Sequence, residues 1–250
     1  MDGETTMKRL KYLLLLVIPL FFLMLSGCSK LNLSTTKKSY SADGLVSVVK
    51  GQASNYKKLT YTVNGETKKV AVDGGHFAIS VPVSASDQNV RIKAVNGNKT
   101  ETKLVKVKKA KALEDYLTFA QSYNYTLLSL GQQNDQLQLI SKNGIITHKK
   151  NDGTKWYYNV QNNQLMGIAT KFSYKDLKSK TGQKNFATDL MIVSKLLGAD
   201  GKKVLKDFAK QTKNADKNST KTSMDTITSK GVNYNINLTT KDFYMYITKY

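Results

Sequence analysis

The run Leu59-Thr60-Tyr61-Thr62-Val63-Asn64-Gly65 alternates apolar and polar side chains and then stops on an Asn-Gly pair. Alternation with a period of two places Leu59, Tyr61 and Val63 on one side of an extended strand and Thr60 and Thr62 on the other. Asn-Gly supplies the positive φ angles that a tight hairpin needs. Phe77, Ile79 and Val81 repeat the scheme, and further short runs surround it at Leu45 to Val49, Lys69 to Val72, Val90 to Val95 and Thr102 to Val107. The breaks fall at Asp73-Gly74-Gly75, at Ser84 to Gln88 and at Asn96-Gly97, all turn-forming sequences. Residues 44–110 are therefore expected to form an antiparallel β-sandwich of six or seven short strands.

This spacing resembles the immunoglobulin-like modules of Gram-positive surface proteins, notably small lipoproteins of lactobacilli. The likeness covers this stretch alone, which has neither the cysteine pair nor the core tryptophan of antibody-type domains. Its last strand is rich in lysine, a common protection for a sheet edge.

Beyond it the period changes. Leu113, Tyr116, Leu117 and Ala120 recur at helical spacing. Strand-like runs follow at Leu137 to Ile140, Ile145 to His148, Trp156 to Val160 and Leu165 to Phe172. Phe186, Leu190, Val193 and Leu197 then mark a helix that ends at Gly198, and Asp200 is placed to cap another. The chain closes on strands expected at Thr222 to Thr228, Val232 to Thr239 and Phe243 to Thr248. Strands segregated from helices in this order predict an α+β domain over 111–250, an antiparallel sheet with helices on one face.

Working back to the start, Lys8, Arg9 and Lys11 precede an apolar run from Tyr12 to Met24, which is followed by Leu25-Ser26-Gly27-Cys28. A basic start, a short apolar core and small residues before a cut site are the parts of a secretory signal. The run is shorter than the roughly 20 residues of a membrane span, and Pro19 interrupts it. Leu25-Ser26-Gly27-Cys28 resembles the lipobox of bacterial lipoproteins. That resemblance implies a signal peptide over 1–27, lipid on the Cys28 thiol, a location on the outer side of the cell membrane, and a lipidated tether over 28–43. Asp2 and Glu4 are foreign to a basic start, so Met7 is a candidate initiator.

The chain has 39 basic and 18 acidic residues, a net charge of +21, of which residues 1–27 carry only +1. An excess of this size attracts polyanions, with screening beyond about 8 Å at physiological salt. Arginine occurs only at Arg9 and Arg91. Without the bidentate guanidinium fork the attraction is diffuse, which with export argues against nucleic acid as a partner. Cys28 is the only cysteine, so no intramolecular disulfide can form.

The search for chemistry returns little. His76 and His148 fall at strands in different predicted domains, and no nucleophile-elbow, zincin or phosphate-loop motif occurs. Asn214, Asp216, Asn218, Thr220, Thr222 and Asp225 match a calcium-loop register, but Ser219 stands where glycine is needed. Carboxylates for glycoside hydrolysis would come from Glu114, Asp115, Asp135, Asp152 and Asp189, and nothing in the sequence pairs them. No catalytic residue, metal or cofactor is expected. The candidate ligand-binding residues are Tyr244, Tyr246 and Tyr250 of the last strand with Asn233, Asn235 and Asn237 of the one before, placed by parity on one wet face of the sheet. Tyrosines beside amides suit a sugar or a protein partner. The expected function is non-catalytic binding of an anionic or glycan component of the cell envelope or a host surface. The alternatives are an accessory or scaffold role for another envelope protein, and an unrecognised hydrolase.

Overall fold

The computed structural model describes residues 30–140, 142–215 and 222–249, without the side chains of 213–215. The expected signal peptide, Cys28, Tyr250 and positions 216, 218 and 220 of the calcium-loop register lie outside the described residues.

The chain is mostly β-sheet with few helices, and its N-terminal part is sandwich-like. One sheet has the order β1-β3-β6, formed by Asn32–Thr35, Val46–Ser54 and His76–Pro82. Facing it is a sheet of order β2-β8-β7-β4-β5, formed by Ser39–Tyr40, Lys99–Val107, Gln88–Asn96, Lys58–Val63 and Glu66–Lys69. Leu33, Val49, Phe77 and Ile79 from the first meet Leu59, Val90, Ile92 and Val105 from the second in one buried cluster. Asn64 and Gly65 both take positive φ, as the hairpin between β4 and β5 requires.

The tether expected over 28–43 is corrected here, because 32–35 and 39–40 are strands of this sandwich. Leu31, Leu33 and Tyr40 are buried in its core: Leu33 is a strand residue opposite Ala53, and Leu31 packs into the same core just ahead of β1.

The third sheet has the order β10-β11-β12-β15-β14-β13, with β9 (Glu114–Asp115) also against β12. Its strands are Gly144–Lys149, Lys155–Gln161, Gln164–Ser173, Asp242–Lys249, Val232–Leu238 and Ile227–Ser229. Every neighbouring pair in it is antiparallel. Among the described residues four α-helices accompany it: α1 Tyr116–Ser129, α2 Tyr174–Leu177, α3 Lys180–Leu196 and α4 Gly201–Ala215. Asp115 caps α1 by accepting from the Thr118 amide at 2.9 Å, and Asp200 accepts from the Lys203 amide at 3.1 Å in the first turn of α4. Phe119, Tyr123, Phe186, Leu190 and Phe208 from the helices share a core with Trp156, Tyr158, Ile168, Phe172, Phe243 and Met245 from the sheet.

Two strand expectations in this part fail for physical reasons. Residues 137–140 are not a strand, because Asn124 on α1 takes both backbone bonds of Leu137, donating to its carbonyl at 2.8 Å and accepting from its amide at 2.7 Å. A side-chain amide thus replaces the neighbouring strand. The run from Thr222 yields only Ile227–Ser229, plus an isolated bridge from Ser223 to Asn237.

Candidate functional site

Register decides what the helix-free face of the third sheet presents. Residues directly opposite each other on antiparallel strands project to the same side. Lys149 lies opposite Lys155, Lys155 opposite Lys171, Lys171 opposite Tyr244, and Tyr244 opposite Asn237. One row across five strands therefore reads Lys149, Lys155, Lys171, Tyr244, Asn237. The next row reads Thr147, Tyr157, Ala169, Tyr246, Asn235 by the same pairings.

Three lysines side by side repel one another, and like charges directly opposite on a sheet are destabilising. Lys149 and Lys155 are exposed. Lys171 binds Asp242 at 2.8 Å, and that hydrogen bond holds its ammonium above the usual lysine range. It also stands 5.9 Å from the centroid of the Tyr244 ring, within reach of the ring's negative face.

The expected binding residues separate on this face. Tyr244 stays half-exposed and Asn237 exposed, together at one end of the lysine row. Asn233 and Asn235 are engaged locally, each accepting from a threonine hydroxyl, Thr228 and Thr226 respectively, at 2.7 Å. Tyr246 is packed against the sandwich side. A Cβ on Gly44 would come within 2.6 Å of its ring, and burial pushes its hydroxyl pKa up, aided by Asp43.

The sandwich covers this part of the face through a short list of contacts. Leu45 lies over Gly167, where an added Cβ would meet its Cδ2 at 2.8 Å. Asn159, fully buried, donates from Nδ2 to the carbonyls of Leu45 and Val83, both at 2.9 Å, and accepts from Gln161.

A second constellation lies on the opposite side. Lys150 follows the exposed Lys149 but faces the helices, with its side chain only 4% exposed. Its ammonium meets Asp189 Oδ1 of α3 at 2.5 Å and Asp135 Oδ2 at 4.0 Å. Asp135 also accepts from the Asn151 amide at 2.7 Å. Asp152 accepts from the Thr154 amide and from Asn185 at 3.2 Å. Burial dominates at Asp189 and raises its carboxyl to about 6, against the pull of Lys150. At Asp152 burial pushes up, but the hydrogen bonds from Thr154 and Asn185 and the charge of Lys150 outweigh it and the carboxyl lies below its ordinary range. Tyr123 is pushed up by burial and by Asp189, Asp135 and Asp152. Asp135, Lys150, Asp152, Asn185 and Asp189 together border a polar cavity of about 280 Å³.

Three of the five carboxylates singled out in the sequence, Asp135, Asp152 and Asp189, are brought together here, whereas Glu114 and Asp115 belong to β9. Asp115 caps α1 and is hydrogen-bonded by Asn163. His148, which falls in β10, is half-buried on the helix side, where burial lowers its pKa. His76 is exposed. Among the described residues no group of His, Cys, Asp and Glu is arranged to hold a metal ion. Lys149, Lys155 and Lys171 were missed because each is one lysine among many, and only strand order sets them side by side.

No protein-family model and no curated protein matches the chain. Solved structures give partial likenesses. An endo-β-1,4-mannanase from Thermotoga petrophila is 11% identical over 34% of this chain and 20% of its own, with a TM-score of 0.30. A chimeric titin Z1Z2 is 14% identical over 32% of this chain and 96% of its own, at 0.25. A β-glucuronidase from Bacteroides uniformis is 10% identical over 58% of this chain and 18% of its own, at 0.27. The chain thus spans about a fifth of the mannanase's length, and at these scores the likenesses establish neither family nor activity.

Proposed function

We propose that this is an exported lipoprotein, anchored by lipid on Cys28 to the outer side of the cell membrane, that binds an anionic or glycan component of the cell envelope without catalysis. In this reading the sandwich, which takes in 32–35 and 39–40 as well as 44–110, is an immunoglobulin-like module, and 111–250 is an α+β domain that presents the binding face. The observation that carries the reading is the row Lys149, Lys155, Lys171, Tyr244 and Asn237, where three cationic strands stand in register with Asp242 as the bonded carboxylate. Such a row is costly to the sheet, and a polyanion laid across it relieves the repulsion. Tyr244 and Asn237 at its end add a ring to stack on and an amide to hydrogen-bond.

The test is sedimentation of the protein with purified cell wall and with its teichoic-acid fraction, at low and at physiological salt. The triple variant Lys149→Ala/Lys155→Ala/Lys171→Ala is compared with Lys57→Ala/Lys58→Ala/Lys69→Ala, which removes equal charge from exposed sandwich positions. Selective loss in the first triple, with further loss on Tyr244→Ala, is expected. Equal loss in both would mean diffuse attraction and defeat the reading.

The convergence of Asp135, Asp152 and Asp189 favours the hydrolase as second reading. It predicts release of soluble sugar from cell wall that Asp189→Asn abolishes.

A further inference from the structure

The cavity between β10, α3 and the turn before β11 has an imbalance of charge and of hydrogen-bonding groups. Its carboxylates are Asp135, Asp152 and Asp189, and its one cation among the described residues is Lys150. The neighbouring His148 has its pKa lowered by burial, which favours the neutral ring. Two negative charges are thus left over in a strongly basic protein. The excess lysines elsewhere are solvated and screened within about 8 Å, so the near charges set the local potential.

The hydrogen bonds show the same deficit. Lys150 serves Asp189 Oδ1, while Asp189 Oδ2 is buried with no donor among the described residues. Asp189 is 1% exposed, and a carboxylate oxygen left unpaired there costs the full desolvation of a charged acceptor. What the site lacks is a second cationic donor. Asn185, Thr188 and Gln132 add neutral polar groups along the same walls. The volume of about 280 Å³ suits a ligand of one sugar ring or one amino acid.

We infer that this cavity binds a small ligand through a protonated primary amine, which donates to Asp189 Oδ2 and is balanced by Asp152 and Asp135, while its hydroxyl or carbonyl groups meet the amide-bearing walls. The site is separate from the lysine row: Lys149 and Lys150 project to opposite faces of the sheet, so either site can fail without the other.

Calorimetry on the full chain at neutral pH separates the contributions, with glucosamine, glucose and N-acetylglucosamine as probes. The three share a ring and differ in carrying an ammonium, a hydroxyl or an amide. Saturable binding of glucosamine, at least tenfold weaker for the other two, is expected. Asp189→Asn should weaken glucosamine by about tenfold to a hundredfold, the range for losing a charged hydrogen bond. Asp152→Asn, at an exposed residue whose replacement spares the core, should weaken it by several-fold with an unchanged circular dichroism spectrum. Equal binding of glucose and glucosamine would overturn the role of the amine. Absence of glucosamine binding, or binding indifferent to Asp152→Asn and Asp189→Asn in folded protein, would overturn the site.

Discussion

Lys149 and Lys150 are neighbours in the chain and opposites in environment. Lys149 stands in solvent on a row of like charges, whereas Lys150 is buried against the helices and held by Asp189. The alternation of a strand does this: one step along β10 and into its turn carries a lysine from one face of the sheet to the other. The contrast shows that the same residue type can be a recruiting charge or a structural one. Burial with a partner makes a charge matter for stability, and exposure leaves it free for binding.

The sharpest way to break this contrast is to remove each lysine in turn. Lys150→Ala leaves Asp189 uncompensated and is expected to cost about 3–5 kcal/mol in denaturant unfolding. Lys150→Met/Asp189→Leu, which removes both charges and keeps apolar volume, should cost less than the single change. Equal losses would mean that the pair acts through packing alone.

The second prediction uses pH. Asp189 is raised from 3.8 to about 6 in the folded chain, so between those values the folded state holds a proton that the unfolded state has released. Stability from this group therefore falls as pH rises through that window, by up to about 3 kcal/mol. Asp135, Asp152, Lys150, His148 and Tyr123 surround it, so the readout is the difference between wild type and Asp189→Asn. Wild type should gain on the variant as pH drops from 7 to 4, and a flat difference would show that Asp189 titrates as if in open water.

Next in size is the join between the sandwich and the third sheet. Asn159→Ala takes the donor from the Val83 carbonyl and leaves the Leu45 carbonyl with the Val83 amide at 3.2 Å, and should cost about 2 kcal/mol. The loss should appear as faster amide exchange around Leu45 if the join opens locally. The smallest effect is expected at Lys149. Lys149→Ala should leave stability within about 0.5 kcal/mol, with a slight gain as repulsion from Lys155 is relieved, while weakening sedimentation with teichoic acid.

Much of the fold was legible because it is local. The alternation in Leu59 to Val63 and the Asn-Gly turn read directly as β4 and its hairpin, and Phe186 to Leu197 as α3. What was not legible depends on partners far along the chain. Leu33 belongs to a strand only because Ala53 lies opposite it, and residues 137–140 lose strand pairing to one side chain of α1. The candidate site follows the same rule. Parity placed Tyr244, Tyr246 and the asparagines together, but that Gly44 covers Tyr246 and that three lysines align are facts of tertiary packing. Asp135, Asp152 and Asp189 could be named in advance but not brought together.

The pairing of β2 with β8 carries a mechanical consequence. They are the one parallel pair among the described sandwich strands, fastened by the Lys106 amide to the Lys38 carbonyl at 2.9 Å and the Lys108 amide to the Tyr40 carbonyl at 2.8 Å. The chain enters β2 from its N-terminal side and leaves β8 towards the third sheet. Tension between the two ends of the molecule therefore pulls these strands in opposite directions along their length, and their bonds bear the load together in shear instead of peeling apart one by one. A protein held at its N-terminus and gripped by its C-terminal sheet would meet drag with this clamp closed.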